Sequence, residues 1–141
     1  MTTLFSRIIN GELPGRFVWS DDLAVGFLSI NPLGPGHTLV VPRAEIDHWI
    51  DADPELIAHL TVVSRTVGEA VQQVFQPPRV GLIIAGFEVP HLHVHVFPAY
   101  GLGNFDFSAA AGSVDAAEQD EHVKRLRAAL REAGHGAQVP D

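Results

Sequence analysis

No cysteine occurs in this chain of 141 residues. Disulfides, thiol catalysis and cysteine-ligated zinc are thereby excluded, and no positive sign of secretion remains. Basic residues are scarce: 9 Lys and Arg stand against 17 Asp and Glu, for a formal net charge of −8. A nonspecific nucleic-acid binder carries a basic stripe. None is visible, so a polynucleotide partner is not expected. Mononucleotides stay open, because histidines, backbone N–H groups and helix N-termini can hold a small anion. No apolar run reaches the roughly 18 residues of a membrane span. Met1 to Arg7 lack the charged start and long apolar run of a signal peptide. No membrane partner is expected, and a cytoplasmic location follows by default.

What is present is an ordinary globular composition, 46% hydrophobic and 18% charged. The length suits one domain with a real core. Its 13 glycines and 10 prolines point to many turns. Leu4 to Ile9 can form a short helix ended by Asn10-Gly11. Phe17 to Trp19 and Val25 to Ile30 read as strands joined by a turn at Ser20-Asp21-Asp22. After the rigid loop Asn31-Pro32-Leu33-Gly34-Pro35-Gly36, His37 to Val41 reads as a buried strand stopped by Pro42.

The clearest helix starts at Asp53-Pro54, a good N-cap and first helical residue. Leu56, Leu60, Val63, Val67, Ala70 and Val74 then form one apolar stripe, and Gln76-Pro77-Pro78 ends it. Val80 to Ala85 is expected as a buried strand and His91 to Phe97 as another. Tyr100 to Gly112, rich in Gly and Ala, reads as irregular. A last helix is expected from about Val114 to Ala133, capped by Ser113 and closed by Gly134. Its early acids and late bases suit the helix dipole. The pattern is α+β: an antiparallel sheet, one long helix packed on it and a C-terminal helix. It forms a single domain over residues 1–141, with a motif-bearing core at about 4–99 and an irregular segment and helix at about 100–135.

One segment stands apart: His91-Leu92-His93-Val94-His95-Val96-Phe97. In an extended chain, side chains alternate between faces. The three imidazoles then share one face, about 6 to 7 Å apart, while Leu92, Val94 and Val96 point to the other. Three readings compete. The row can be a polar surface face, although such faces usually carry Thr, Lys, Glu or Ser. It can chelate a metal, with His37 or Glu88 as a further ligand. Or the central His93 can attack phosphorus while its neighbours orient it and hydrogen-bond the phosphoryl oxygens.

The row resembles the motif of the histidine triad (HIT) family, His-x-His-x-His followed by apolar residues. Phe5-Ser6-Arg7-Ile8-Ile9-Asn10-Gly11-Glu12-Leu13-Pro14 resembles that family's opening segment, Phe-Cys-x-Ile-x-x-Gly-x-x-Pro. Ile30-Asn31-Pro32 and Gly36-His37-Thr38-Leu39-Val40-Val41-Pro42-Arg43 resemble its loop and strand. Ala85-Gly86-Phe87-Glu88-Val89-Pro90 stands where members often have Ala-Gly-Gln-x-Val-x. The resemblance implies a HIT-like fold dimerising edge to edge through its sheet. It implies no cofactor, no metal among the catalytic groups, and a purine nucleotide as substrate. His93 would be the nucleophile that forms a nucleotidyl-histidine. His95 would contact the phosphate and assist the leaving group, with His91 and His37 in support. Gly86 would bring backbone close to the phosphate and Glu88 would lie on the leaving-group side. Phe5, Ile8, Phe27 and Ile30 would line the nucleobase pocket.

The match also has departures. Ser29 stands where members usually carry the Asp that grips the ribose hydroxyls, and it lacks two carboxylate acceptors. Phe87 replaces a common Gln. Arg79 to Ile84 run straight into Ala85-Gly86, without the usual longer Asn/Gly-rich loop. Ala99 replaces a basic residue. Ser6 stands where zinc-carrying members have cysteine, so no structural zinc is expected. Two functions fit. One is a hydrolase or transferase cleaving a phosphoramidate or phosphoanhydride of a nucleoside phosphate. The other is a nucleotide-binding or sensing module with little activity.

Overall fold

The computed structural model describes residues 2–141. Helix α1 spans Leu4–Ile9. The Thr3 hydroxyl caps it by accepting from the Ser6 N–H, and Asn10 and Gly11 (φ +81°) end it. Strands β1 (Phe17–Ser20) and β2 (Ala24–Leu28) form a hairpin. Asp21 shapes its turn: one carboxylate oxygen accepts from the N–H groups of both Leu23 and Ala24 at 2.8 Å. Strand β3 (Thr38–Pro42) pairs with β2, and Phe27 faces Leu39 across that ladder. The expected strand to Ile30 is shorter, because pairing ends at Leu28↔Thr38. Ser29 donates one last backbone bond to the His37 carbonyl before the chain turns away.

Helix α2 spans Pro54–Phe75 and stops where Gln76 adopts the left-handed conformation, φ 51°, with two prolines next. Strand β4 (Arg79–Ile83) leads through a loop to β5 (Val94–Ala99). Helix α3 spans Ala116–Leu130. It starts later than Ser113 would have it, because the Asp115 carboxylate accepts from the Ala117 and Glu118 N–H groups. A wider turn, Arg131–His135, follows and contains Gly134 at φ 98°. The irregular segment before α3 holds two single helical turns, Leu102–Phe105 and Phe107–Ala109.

The sheet order is β1-β2-β3-β5-β4, and every pairing is antiparallel. One face packs on α2 and α3. Leu60, Val63, Val67 and Val71 from α2 meet Val40, Val94 and Val96 from the sheet and Leu126 and Leu130 from α3. Burying each such side chain stabilises the fold by about 1.5–3 kcal/mol. The opposite face carries a smaller cluster of Phe5, Val25, Phe27, Leu39 and Val41 beneath α1. Both faces are covered, which is why β2 and β3 are buried at every residue.

The expected strand from His91 to Phe97 is corrected in one respect. Ladder pairing begins only at Val94, where the pairing with β3 ends at Val40↔Val94; β4 pairs no further than Ile83↔His95. His91 lies in a bend, its N–H donating to the Val89 carbonyl, and the Leu92 N–H donates to the Ile46 carbonyl at 2.6 Å. The alternation of faces survives without the ladder. Leu92, Val94 and Val96 enter the main core, while the three histidine rings lie on the opposite side, by Phe5 and Phe107.

Candidate active site

A cavity of ≈ 890 Å³ opens on the histidine side of the sheet. His37, His93 and His95 line one end of it; Phe5, Ile8, Phe27 and Leu39 line an apolar wall. The elements explain the placement. His95 sits in β5 opposite Leu39, and Leu39 sits opposite Phe27. Three neighbouring strands thus deliver an imidazole and two apolar side chains to one face. Helix α1 folds over them, so that the Phe5 ring meets His93 edge-on at 4.9 Å between centroids.

The hydrogen bonds assign a tautomer to each cavity histidine. The Leu33 N–H donates to His37 Nδ1 at 2.9 Å. His37 Nε2 must then carry the proton, which it donates to His95 Nδ1 at 3.0 Å. His95 in turn carries its proton on Nε2. At His93 the order is reversed. Its Nδ1–H donates to the His91 carbonyl at 2.7 Å, which leaves the Nε2 lone pair free. Two adjacent rings, 4.8 Å apart between centroids, therefore differ in kind: His93 presents a lone pair and His95 a donor.

Burial keeps these rings neutral. His37 is pushed down to about 3 by burial and by the neighbouring His95 and His93. His95 is pushed down to about 4 by burial and by His93. Burial also lowers His93, and the bond to the His91 carbonyl and the Glu88 charge work against it. A neutral His93 near pH 7 keeps its nucleophilic lone pair.

His91 does not reach the cavity. It is wholly buried behind it; its Nε2–H donates to the Pro42 carbonyl at 2.8 Å, and its Nδ1 meets the Thr3 hydroxyl at 2.7 Å. Its contribution to the cavity is the carbonyl that orients His93. Ser29, Ile30 and Glu88 line the cavity, with Ile30 largely exposed. Gly86 is not among the lining residues. It has φ +80° and open space where a Cβ would stand, so the turn itself requires glycine there. Phe87 is 96% exposed and offers the site nothing.

Sequence reasoning missed part of the lining. Leu13, Arg16, Asn31 and Val89 belong to it, with Phe107, Ala110, Ala111, Gly112 and Asp120 from the C-terminal part. The Phe107 ring lies 4.7 Å from His95 between centroids. The Asn31 side chain ties this segment down by donating to the Ala111 carbonyl. Leu39 had a readable signal, its alternation along β3. Phe107 and Asp120 had none, since only the tertiary fold brings them in.

His37 Nδ1 and His95 Nδ1 are both occupied by N–H donors. Among the described residues, no group of three or more His, Cys, Asp or Glu is placed to hold a metal ion. No described helix is long and apolar enough to cross a membrane.

Comparison with known proteins bears on this arrangement. The HIT domain family model matches residues 10–102. An uncharacterized HIT-like protein of Methanocaldococcus jannaschii is 34% identical over 129 residues, 88% of this chain and 98% of its own. Among solved structures, a hypothetical histidine triad nucleotide-binding protein of Sulfolobus tokodaii superposes with a TM-score of 0.80. It is 26% identical and covers 91% of each chain. A HIT family hydrolase of Legionella pneumophila superposes with a TM-score of 0.61 at 27% identity, over 68% of this chain and 91% of that one. The matched region holds the whole sheet and all four histidines just described, and the chain belongs to the HIT domain family.

Proposed function

We propose that the protein is a hydrolase or transferase that moves a nucleoside monophosphate group onto His93 and then onto water or another acceptor. The observation that carries this reading is the opposed pair of tautomers in one cavity. His93 Nε2 offers a lone pair, and its neighbour His95 offers an Nε2–H. In the first step the Nε2–P bond forms as the P–N or P–O bond to the leaving group breaks. In the second, water breaks the Nε2–P bond and releases the nucleoside monophosphate. His95 hydrogen-bonds the phosphoryl oxygens and the departing atom, where charge builds. The apolar wall of Phe5, Ile8, Phe27 and Leu39 suits a flat purine. The substrate is then a purine nucleoside phosphoramidate or a dinucleoside polyphosphate.

Replacing His93 with Asn tests the reading. Turnover of an adenosine phosphoramidate should fall by at least about 10³-fold, with the melting temperature retained. Unchanged turnover would remove His93 as nucleophile. A second reading, a nucleotide-binding or sensing module, draws on Phe87: it points to solvent and supplies no donor beside the phosphate. Rapid turnover of any phosphoramidate or dinucleoside polyphosphate would exclude it.

The proposal includes a homodimer joined through β4. That strand lies at the sheet edge, with Leu82 half exposed, and an open edge is a template for pairing. At the opposite edge, β1 is partly covered by α3, whose Arg127 donates to the Phe17 carbonyl at 2.7 Å. A monomeric mass by light scattering would contradict this part.

A further inference from the structure

Ser29 is poorly equipped to hold a sugar. Its hydroxyl oxygen already accepts from the Asn31 N–H at 3.1 Å. Its carbonyl accepts from the Gln119 side chain at 3.0 Å. That second bond has a consequence. It pins the first turns of α3 against the end of β2, and the next residue, Asp120, lines the same cavity as Ser29. Of the residues lining the cavity, only Glu88 and Asp120 are carboxylates. Glu88 belongs to the histidine end, where its charge acts on His93.

Asp120 is held in place from a third element. Arg16 Nε donates to Asp120 Oδ1 at 2.8 Å. Arg16 itself lies beside Ser29, because its carbonyl accepts from the Leu28 N–H at 3.0 Å. It also lines the cavity. The guanidinium thus occupies one carboxylate oxygen and leaves Oδ2 available. A carboxylate accepts from hydroxyls strongly, and a diol with two O–H donors is its natural partner.

We propose that Asp120, positioned by Arg16, is the residue that recognises the ribose diol of the bound nucleotide. This inference rests on the nucleotide reading of the cavity. With the base against Phe5 and Phe27 and the phosphate at His93 and His95, the sugar lies between them. Ser29 and Asp120 line the same cavity. The specificity of this chain for a ribonucleotide then comes from its C-terminal helix, outside the region that the family model matches.

The bland alternative is a surface ion pair that latches α3 to the sheet. The two ideas differ in what they do to sugars. Binding of adenosine 5′-monophosphate and of its 2′,3′-dideoxy analogue is measured by calorimetry, for the unaltered protein and for Asp120→Ala. The Asp120 side chain is 70% exposed, so the variant should fold, and a thermal melt checks it. The unaltered protein should prefer the ribonucleotide by about 10-fold or more. Asp120→Ala should abolish that preference by weakening the ribonucleotide alone, leaving the dideoxy analogue within about twofold. Arg16→Met should give a partial loss of the same preference. Equal weakening of both ligands would assign Asp120 to a latch and overturn the proposal. So would a preference that survives the substitution, or none in the unaltered protein. An unaltered protein that binds neither ligand would remove the nucleotide reading, and this inference with it.

Discussion

The histidine end of the cavity and the rest of its lining are built by different means. At the histidine end, each ring nitrogen that faces protein has a partner, and the partners decide which nitrogen bears the proton. The rings are buried, close to one another and held by strands on both sides. The rest of the lining comes from α1, the loop after β2 and the C-terminal segment, and its ion pair is more open to solvent, with the Arg16 and Asp120 side chains 30% and 70% exposed. On the proposed function, the contrast separates chemistry from recognition. A nucleophile needs one lone pair in one orientation, which packing and hydrogen bonds can impose. A ligand-holding wall has looser demands, so distant parts of the chain can supply it.

The sharpest way to break this contrast is at His37. Replacing it with Phe removes the only donor to His95 Nδ1 shown by the structure, so His95 is free to turn its lone pair toward the cavity. Turnover should fall by about 10²-fold while nucleotide affinity changes little. A fall in affinity alone would mean that His37 serves the wall and not the chemistry.

Acid should act on the same end next. His37 and His95 stay neutral in the folded protein down to about pH 3 and about pH 4. In the unfolded chain they take up protons near pH 6.5. Between those values the unfolded state binds more protons, so stability falls as pH falls. Where both rings differ between the states, their contribution approaches about 2.7 kcal/mol per pH unit. Denaturant titrations from pH 7 to pH 4 should show the loss, and replacing His37 with Phe should shrink it. A flat profile would show that burial is not what keeps these rings neutral.

The smallest expected effect lies behind the cavity. Thr3→Val removes the N-cap of α1 and the partner of His91 Nδ1. It should cost about 1–2 kcal/mol of stability. Turnover should drop only modestly, since the His91 carbonyl still holds His93. A loss as large as that from His37→Phe would place the Thr3–His91 contact inside the catalytic machinery.

Much of the histidine end was legible in the sequence. Period-two alternation alone puts Leu92, Val94 and Val96 in the core and the histidines on the other face. Motif resemblance adds His37 and the apolar residues Phe5, Ile8 and Phe27. The start of the strand was not legible, because it depends on how far the pairing with the neighbouring β3 runs, and that pairing ends at Val40↔Val94. The placement of His91 behind the cavity was not legible either, since alternation gives a face and not a depth. The C-terminal part of the lining left no local trace. Phe107 sits in a Gly/Ala-rich stretch that reads as irregular, and Asp120 sits on a helix whose charges read as solvated. They reach the cavity only because Asn31 and Gln119 pull their segments onto the end of β2.

The central claim is that His93 takes up the nucleotidyl group. The direct measurement is intact-protein mass spectrometry after rapid mixing with an adenosine phosphoramidate and denaturation at neutral pH, followed by peptide mapping. A transient increase by one adenylyl group is expected, located on His93 and absent from His93→Asn. Steady turnover with no adduct on His93, or with the adduct on another residue, would contradict it.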